Sequence, residues 1–275
     1  MNSQTVKLSE NSSADIEIFI SENCIKNSPF IIIVPGGGYD HYGWKEQETV
    51  ARFFNGKGFN AAVLHYTIAP MKFGQALTDL AQAVSYIRGR QDLCSNSRVA
   101  VVGFSAGGHL TGCLGAWWNN SSVISYLNKK WNCNLKCSEI KPDLLCLCYP
   151  VISADEKISH KGSFLRLTEN LSENEKQELL QVWKAGKTEE FLSLENQVTE
   201  EFPPVFMWHT REDKAVPAEN TLRMALSLQQ KQIDFEYHLF EQGPHGLSLG
   251  ENSEAEIWPE LFINFMARLM RLKRQ

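Results

Sequence analysis

The stretch Val99-Ala100-Val101-Val102-Gly103-Phe104-Ser105-Ala106-Gly107-Gly108-His109-Leu110 decides the fold. Its first four residues are apolar, three of them β-branched, and read as a buried parallel strand. G-x-S-x-G follows, then small residues that can open a helix, which together predict a nucleophile elbow. A serine at the tip of so sharp a turn is held in a strained backbone. Gly103 and Gly107, two residues to either side, must therefore be small enough for strand and helix to pack closely. Ser105 is then presented at the carboxyl end of a sheet, where the helix N-terminus and the N–H of Ala106 favour negative charge developing on a bound oxygen.

Upstream, Pro29 to Val34 reads as a second buried strand, ending in Pro35-Gly36-Gly37-Gly38-Tyr39. Three glycines after a buried strand leave backbone amides bare where a ligand can approach. Neither G-K-[ST] nor G-x-G-x-x-G accompanies them, which disfavours a phosphate loop. The expected use is an oxyanion hole formed by the N–H groups of Gly37, Gly38 and Ala106. Just beyond, Tyr39, His41 and Trp44 either line a substrate cleft or cover the core.

The remaining chain alternates strands with helices, which argues for α/β architecture with a mostly parallel sheet wound on both faces. Residues 5–8 and 15–20 read as half-exposed edge strands, and Asn60 to Tyr66 as a buried one. Helices are expected from about Glu48 to Asn55, and from about Gly74 to Arg90, where Leu77, Leu80, Ala81, Val84 and Ile87 recur at helical spacing. Asn119 to Lys141 reads as irregular and polar. Asp143 to Pro150, Pro204 to His209 and Phe235 to Phe240 read as further strands, the last near an edge. Pro217 marks a first helical position, and Ile257, Leu261, Phe262, Phe265, Met266 and Leu269 the inward face of a last helix. The exception to the alternation is about 153–201. It contains a capping box, Ser172-Glu173-Asn174-Glu175, opening a helix that should end near Gly186. The expectation is a single domain over 1–275 with a small cap or lid insertion at 153–201; a surface helical pair without a binding role is the alternative.

Composition narrows the partners. With 275 residues, a net charge of −5 and a pI near 5.8, the chain has no electrostatic footprint for nucleic acid or an anionic membrane. Arg268, Arg271, Lys273 and Arg274 are read as cations at a helix C-terminus. Met1 to Asp15 is polar and lacks a leader pattern, and the apolar run Phe30 to Val34 is too short to span a bilayer, so a cytoplasmic protein is expected. The seven cysteines are odd in number, and Cys146 and Cys148 alternate within a strand, which favours free thiols. Cys133 and Cys137 lack a second pair at ligand spacing, so no metal is expected. A homodimer is compatible with the sequence.

Acyl transfer by serine requires a base in hydrogen-bond reach and a carboxylate that holds the base's tautomer. The chain supplies Ser105, Asp213 and His245 in that order, each in a loop just after an expected strand, so all three converge on one edge of the sheet. Of the other histidines, His65, His209 and His238 lie inside strands, His160 lies in the insertion, and His109 sits one turn into the elbow helix. Asp213 is preferred over Glu212 because Val216-Pro217 pins its loop, whereas its neighbour points to solvent. An arylformamidase or small peptidase keeping the same three residues, and a binding protein without catalysis, are the competing readings.

With these residues in place, the chain resembles the α/β-hydrolase superfamily, and within it the acetyl esterase/acetylxylan esterase branch related to hormone-sensitive-lipase-like esterases. The resemblance runs over nearly the whole chain through VPGGGY (34–39), GFSAGGHL (103–110), PDLLCLCYPVIS (142–153), SLENQVTEEFPPVFMWHT (193–210), DKAVPAEN (213–220) and GPHGL (243–247). It implies a Ser105–His245–Asp213 triad, an oxyanion hole at Gly37, Gly38 and Ala106, and release of acetyl or feruloyl groups from sugars or small alcohols, with no cofactor. The chain departs from it at Pro35, where many lipase-like relatives carry His, and at Glu46-Gln47-Glu48-Thr49, which follows the branch's E-G-x-P only loosely. Its acidic character points to small acetylated oligosaccharides or other small esters as substrate.

Overall fold

The computed structural model describes residues 3–10 and 12–272. One eight-stranded sheet runs through it: β1 (Gln4–Lys7), β2 (Asp15–Phe19), β3 (Phe30–Val34), β4 (Ala61–His65), β5 (Val99–Phe104), β6 (Leu144–Cys148), β7 (Val205–Thr210) and β8 (Phe235–Phe240). In space the order is β1-β2-β4-β3-β5-β6-β7-β8. The first two strands pair antiparallel and the other six are parallel. Successive residues of the central strands feed opposite cores. On one face, Ala100, Val102 and Phe104 pack with α1 (Glu48–Gly56) and α10 (Trp258–Leu272). On the other, Val99 and Val101 pack with α2 (Gln75–Gly89), α3 (Ser105–Trp117) and α9 (Glu219–Gln230). The expected doubly wound α/β sheet is present.

This topology fixes where a ligand can sit. From β3 the chain winds outward to β4, then returns to the other side of β3 as β5, so the winding reverses between β3 and β5. A crevice opens beyond the carboxyl ends of strands at such a switch point. Val34 pairs with Gly103, so the glycine loop after β3 and the serine turn after β5 leave the sheet side by side.

Several elements differ from the sequence reading. Within the stretch expected to be irregular, residues 121–131 and 137–140 are helical: Asn120 accepts hydrogen bonds from the N–H groups of Ser122 and Val123, capping α4 (Ser121–Trp131), and α5 (Cys137–Ile140) follows after the irregular residues 132–136. The buried residues of α4 are Val123, Ile124, Tyr126 and Leu127, which fill little more than one turn, too short a stripe to show as periodicity. Pro217 lies before α9, where its carbonyl accepts from Asn220, rather than at the first helical position. A 3-10 turn over Glu254–Ile257 shifts the phase of the last helix, so Ile257 faces solvent and Trp258 turns inward. β8 is the outermost strand at its side of the sheet. Arg268 donates to Glu236 at 2.8 Å, while the Arg271 side chain, Lys273 and Arg274 lie outside the described residues. Among the described residues no helix is long and apolar enough to cross a membrane.

The segment expected as an insertion holds α6 (Lys161–Thr168), α7 (Glu173–Trp183) and α8 (Thr188–Leu192). The capping box at Ser172 is formed, and α7 ends at Trp183 because Lys184, not Gly186, takes the left-handed conformation that closes it. Leu167, Leu179, Trp183, Phe191 and Leu192 belong to the same core as α2 and α3, so the segment does not stand apart as a surface pair. Its two roots are tied together: Leu194 donates to the carbonyl of Ile152 at 3.0 Å, and Ala154 to Ser193 Oγ at 2.9 Å.

Candidate active site

Ser105 opens α3 with φ of 50°, in the left-handed region that a non-glycine residue occupies only when its surroundings hold it there. Those surroundings leave no spare volume. A methyl group on Gly103 would overlap Thr111 Oγ1 and the Gly107 carbonyl, and one on Gly107 would overlap the carbonyl oxygens of Val34 and Pro35. The two glycines are thus required by the steric argument made from sequence.

His245 lies in the loop after β8, between Gly243 (φ 133°) and Gly246 (φ 81°), and Thr210 on β7 donates to the Gly243 carbonyl at 2.8 Å. The ring stands between the two other residues: Nε2 is 2.8 Å from Ser105 Oγ, and Nδ1 is 2.6 Å from Asp213 Oδ2. Asp213 sits in the loop after β7 with its side chain fully buried, whereas Glu212 is exposed. Its Oδ1 accepts the N–H groups of Ala215 and Val216, both at 2.9 Å. Burial pushes the Asp213 carboxyl up, but hydrogen bonds from His209 and His245, the charge of His245 and the Val216 amide outweigh it, holding the group well below the usual carboxylate range. An ionised Asp213 accepts the Nδ1 proton, which leaves Nε2 free to accept the serine hydroxyl proton.

Gly37 (φ 112°) and Gly38 (φ 65°) turn the loop after β3 over Ser105. Among the described residues neither of their N–H groups has a hydrogen-bond partner. The N–H of Ala106 lies in the first turn of α3, where no intrahelical acceptor exists. A cleft of about 330 Å³ opens above the serine. Its floor is Ser105 and His245, one wall is Gly37, Gly38, Asp40, His41, Gly43 and Glu46, and the other is His160, Gly162 and Arg166 from the segment around α6.

The family profile described as BD-FAE matches residues 16–228. The chain belongs to the BD-FAE family of α/β-hydrolases. It is 32% identical over 236 residues to an endo-1,4-beta-xylanase B of Butyrivibrio fibrisolvens, covering 83% of this chain and 34% of that protein. It is 26% identical over 255 residues to an acetylxylan esterase of Xylanibacter ruminicola, covering 90% and 46%. The chain therefore spans between a third and a half of the length of these curated relatives. Among solved structures, an acetyl ester-xyloside bifunctional hydrolase from Caldicellulosiruptor lactoaceticus superposes with a TM-score of 0.78 at 31% identity, over 97% of this chain and 96% of that one.

In this BD-FAE chain, the three residues of the loop after the glycines part company. His41 lines the cleft. Tyr39 does not: its left-handed backbone (φ 66°) turns the ring inward, where it is 1% exposed and its hydroxyl lies 2.8 Å from His109 Nδ1. Trp44 also misses the cleft, being 76% exposed, because the 3-10 turn Trp44–Glu46 directs Glu46 inward and Trp44 outward. His109 is buried and spoken for, with Nε2 donating to the Leu192 carbonyl at 2.9 Å.

Four cleft or support residues escaped the sequence reading. Glu46 is 5% exposed yet reaches the cleft. His160 caps α6: its Nδ1 accepts from the N–H of Ser163 at 3.3 Å and lies 2.8 Å from Ser163 Oγ, so the ring proton sits on Nε2. Burial, with the nearby charge of His245, lowers its pKa and keeps it neutral. Arg166 reaches across the mouth of the cleft to within 3.5 Å of Asp40 Oδ2. His209, placed in a strand from sequence, hydrogen-bonds the Val216 carbonyl at 2.8 Å and lies 3.2 Å from Asp213 Oδ2, buttressing the carboxylate from behind. A histidine four residues before the acid, at the strand's end, is the signal that could have marked it.

Proposed function

We propose that this BD-FAE chain is a serine carboxylic ester hydrolase that removes acetyl groups from acetylated sugars or similar small polar esters. The carrying observation is the continuous hydrogen-bonded line Ser105–His245–Asp213, at 2.8 and 2.6 Å, on the floor of a cleft roofed by the glycine loop. Ser105 Oγ attacks the ester carbon as His245 Nε2 takes its proton, and Asp213 stabilises the resulting imidazolium. The N–H groups of Gly37, Gly38 and Ala106 hold the oxyanion, each worth on the order of 3 kcal/mol of transition-state stabilisation. The intermediate collapses as His245 returns the proton to the leaving alcohol. Water, deprotonated by the same imidazole, then attacks the acyl-enzyme and releases the acid.

The acyl and alcohol preferences are supported by what the cleft lacks. Among the described residues no aliphatic side chain lines it; the walls are glycine backbone, carboxylates, imidazoles and one guanidinium. A long acyl chain would find no aliphatic side chain against which to gain the roughly 0.8 kcal/mol available per buried methylene, while a polyhydroxylated alcohol can meet Asp40, His41 and Arg166. The acetylxylan esterase and the acetyl ester-xyloside hydrolase among its relatives support the same reading. The test is initial-rate hydrolysis of 4-nitrophenyl acetate, butyrate and octanoate by wild type and Ser105→Ala, together with acetate release from acetylated xylo-oligosaccharides. Acetate should be fastest, and the variant should fall by about 10⁴-fold or more. Octanoate turned over faster than acetate would contradict the polar short-acyl cleft.

A further inference from the structure

Glu46 is a carboxylate buried at the edge of the reacting centre and unused by the mechanism above. Its Oε2 accepts the N–H of Gly36 at 2.7 Å and its Oε1 the hydroxyl of Tyr149 at 2.6 Å. The Tyr149 hydroxyl in turn accepts the N–H of Ser248 at 2.9 Å, and Ser248 Oγ donates to the Lys45 carbonyl at 2.6 Å. One side chain thereby ties together the start of the oxyanion loop, the turn that carries Glu46 itself, and the loop that presents His245. The Tyr149 ring packs edge-on against the His245 ring, centroids 5.0 Å apart. A methyl group on Gly36 would stand 2.8 Å from Glu46 Oε2 and 2.9 Å from Ser105 Cβ, so carboxylate and nucleophile are separated by little more than that methyl.

We propose that Glu46 is a positioning residue that joins the oxyanion loop to the histidine loop, and that its negative charge stabilises the imidazolium that His245 becomes during acyl transfer. Both of its polar contacts inside the protein are donors, which suits a carboxylate and leaves a neutral amide mismatched at one of them. The groups facing it are His41 from its own loop, Tyr66 beyond β4, Cys148 and Tyr149 at the end of β6, and His245; Asp213 and His160 face His245 from the other sides. The imidazoles of His245 and His41 both bear on Glu46, and Arg166 stands on the facing wall of the same cleft. Burial works the other way, raising the Glu46 carboxyl, and the two hydrogen bonds with the charge of the two histidines offset part of that rise.

This inference rests on the serine-hydrolase reading, so the test includes a measurement that does not need turnover. NMR titration of the His245 ring, assigned with H245Q, is compared in wild type, E46Q and E46D, alongside melting temperatures and the kcat and KM for 4-nitrophenyl acetate. In E46Q, the ring is expected to titrate lower than in wild type, because the negative charge that favours the imidazolium is gone. The kcat should fall about 10-fold or more, with KM changed less than about twofold. E46D keeps the charge and should keep most of the wild-type titration, which covers the case in which E46Q does not fold. Coincident titrations in E46Q and wild type, or an E46D shift as large as that of E46Q, would overturn the proposal. Absence of ester turnover in the wild type would instead overturn the hydrolase reading, while the ring titration still decides the role of Glu46.

Discussion

Gly107→Ala is the perturbation that probes the elbow most severely for the least chemistry, a single methyl group. That methyl would overlap the carbonyl oxygens of Val34 and Pro35 and stand 2.8 Å from the Pro35 carbonyl carbon. None of these atoms can give cheaply. Val34 is in register with Gly103 in the centre of the sheet, and the Pro35 carbonyl accepts the Tyr66 hydroxyl at 2.9 Å. Overpacking of this kind costs about 1–3 kcal/mol, or a fall in Tm of roughly 2–12 °C for a domain of this size. The strain is relieved by pushing the glycine loop away from Ser105. Displacing the Gly37 and Gly38 amides by about 1 Å should cost about 10²-fold in kcat/KM. The control is Gly89→Ala at the end of α2, where a methyl meets nothing within 4 Å; it should leave activity unchanged and stabilise by about 0.5–1 kcal/mol. Thermal melting and 4-nitrophenyl acetate kinetics read both variants. A Gly107→Ala protein with wild-type Tm and wild-type kcat/KM would refute the reasoning.

Three further outcomes are expected. Asp213→Asn places an amide where Oδ1 accepts two backbone N–H groups or where Oδ2 accepts the His245 Nδ1 proton; kcat should fall by about 10⁴-fold as the wrong imidazole tautomer is favoured, and a loss below about 10-fold would argue against the assignment. Burial lowers the pKa of His109 to about 4, so the unfolded chain binds more protons than the folded one from about pH 6.5 down to 4. Stability should therefore decline with falling pH across that window, by up to about 3 kcal/mol from this residue. Urea midpoints at pH 7.5, 5.5 and 4.5 should drop less steeply in His109→Gln than in wild type, and parallel curves would contradict it. His209→Asn removes the ring behind Asp213, and should lower kcat about 10-fold with KM nearly unchanged, read by the same kinetics.

What could be read from the sequence was local. The elbow announces itself because Gly103 and Gly107 answer a steric demand made within five residues of Ser105. The three polar residues of the active line were legible because each follows a strand, and parallel strands deliver their carboxyl ends to one edge. Other features depend on which way a side chain turns, which no spacing records. Tyr39 and Trp44 were indistinguishable as candidates from His41, yet a left-handed backbone buries one and a 3-10 turn expels another. Glu46 stood in the sequence only as the start of a segment that loosely follows E-G-x-P, since its donors lie on Gly36 and Tyr149, the latter 103 positions away. α4 was hidden because its cap, Asn120, and its serines read as loop, while its apolar face is completed by Trp183 packing on Tyr126 from α7. His160 and Arg166 reach the cleft only because the segment after β6 folds back across it.

The central claim is that Ser105 is a nucleophile activated by His245. The most direct measurement is labelling with a fluorophosphonate followed by peptide mapping, run on wild type, Ser105→Ala and His245→Ala. The account expects one adduct per chain on the peptide containing Ser105, none in Ser105→Ala, and labelling slowed by orders of magnitude in His245→Ala. Unlabelled wild type, an adduct on a different residue, or equal labelling of wild type and His245→Ala would contradict it.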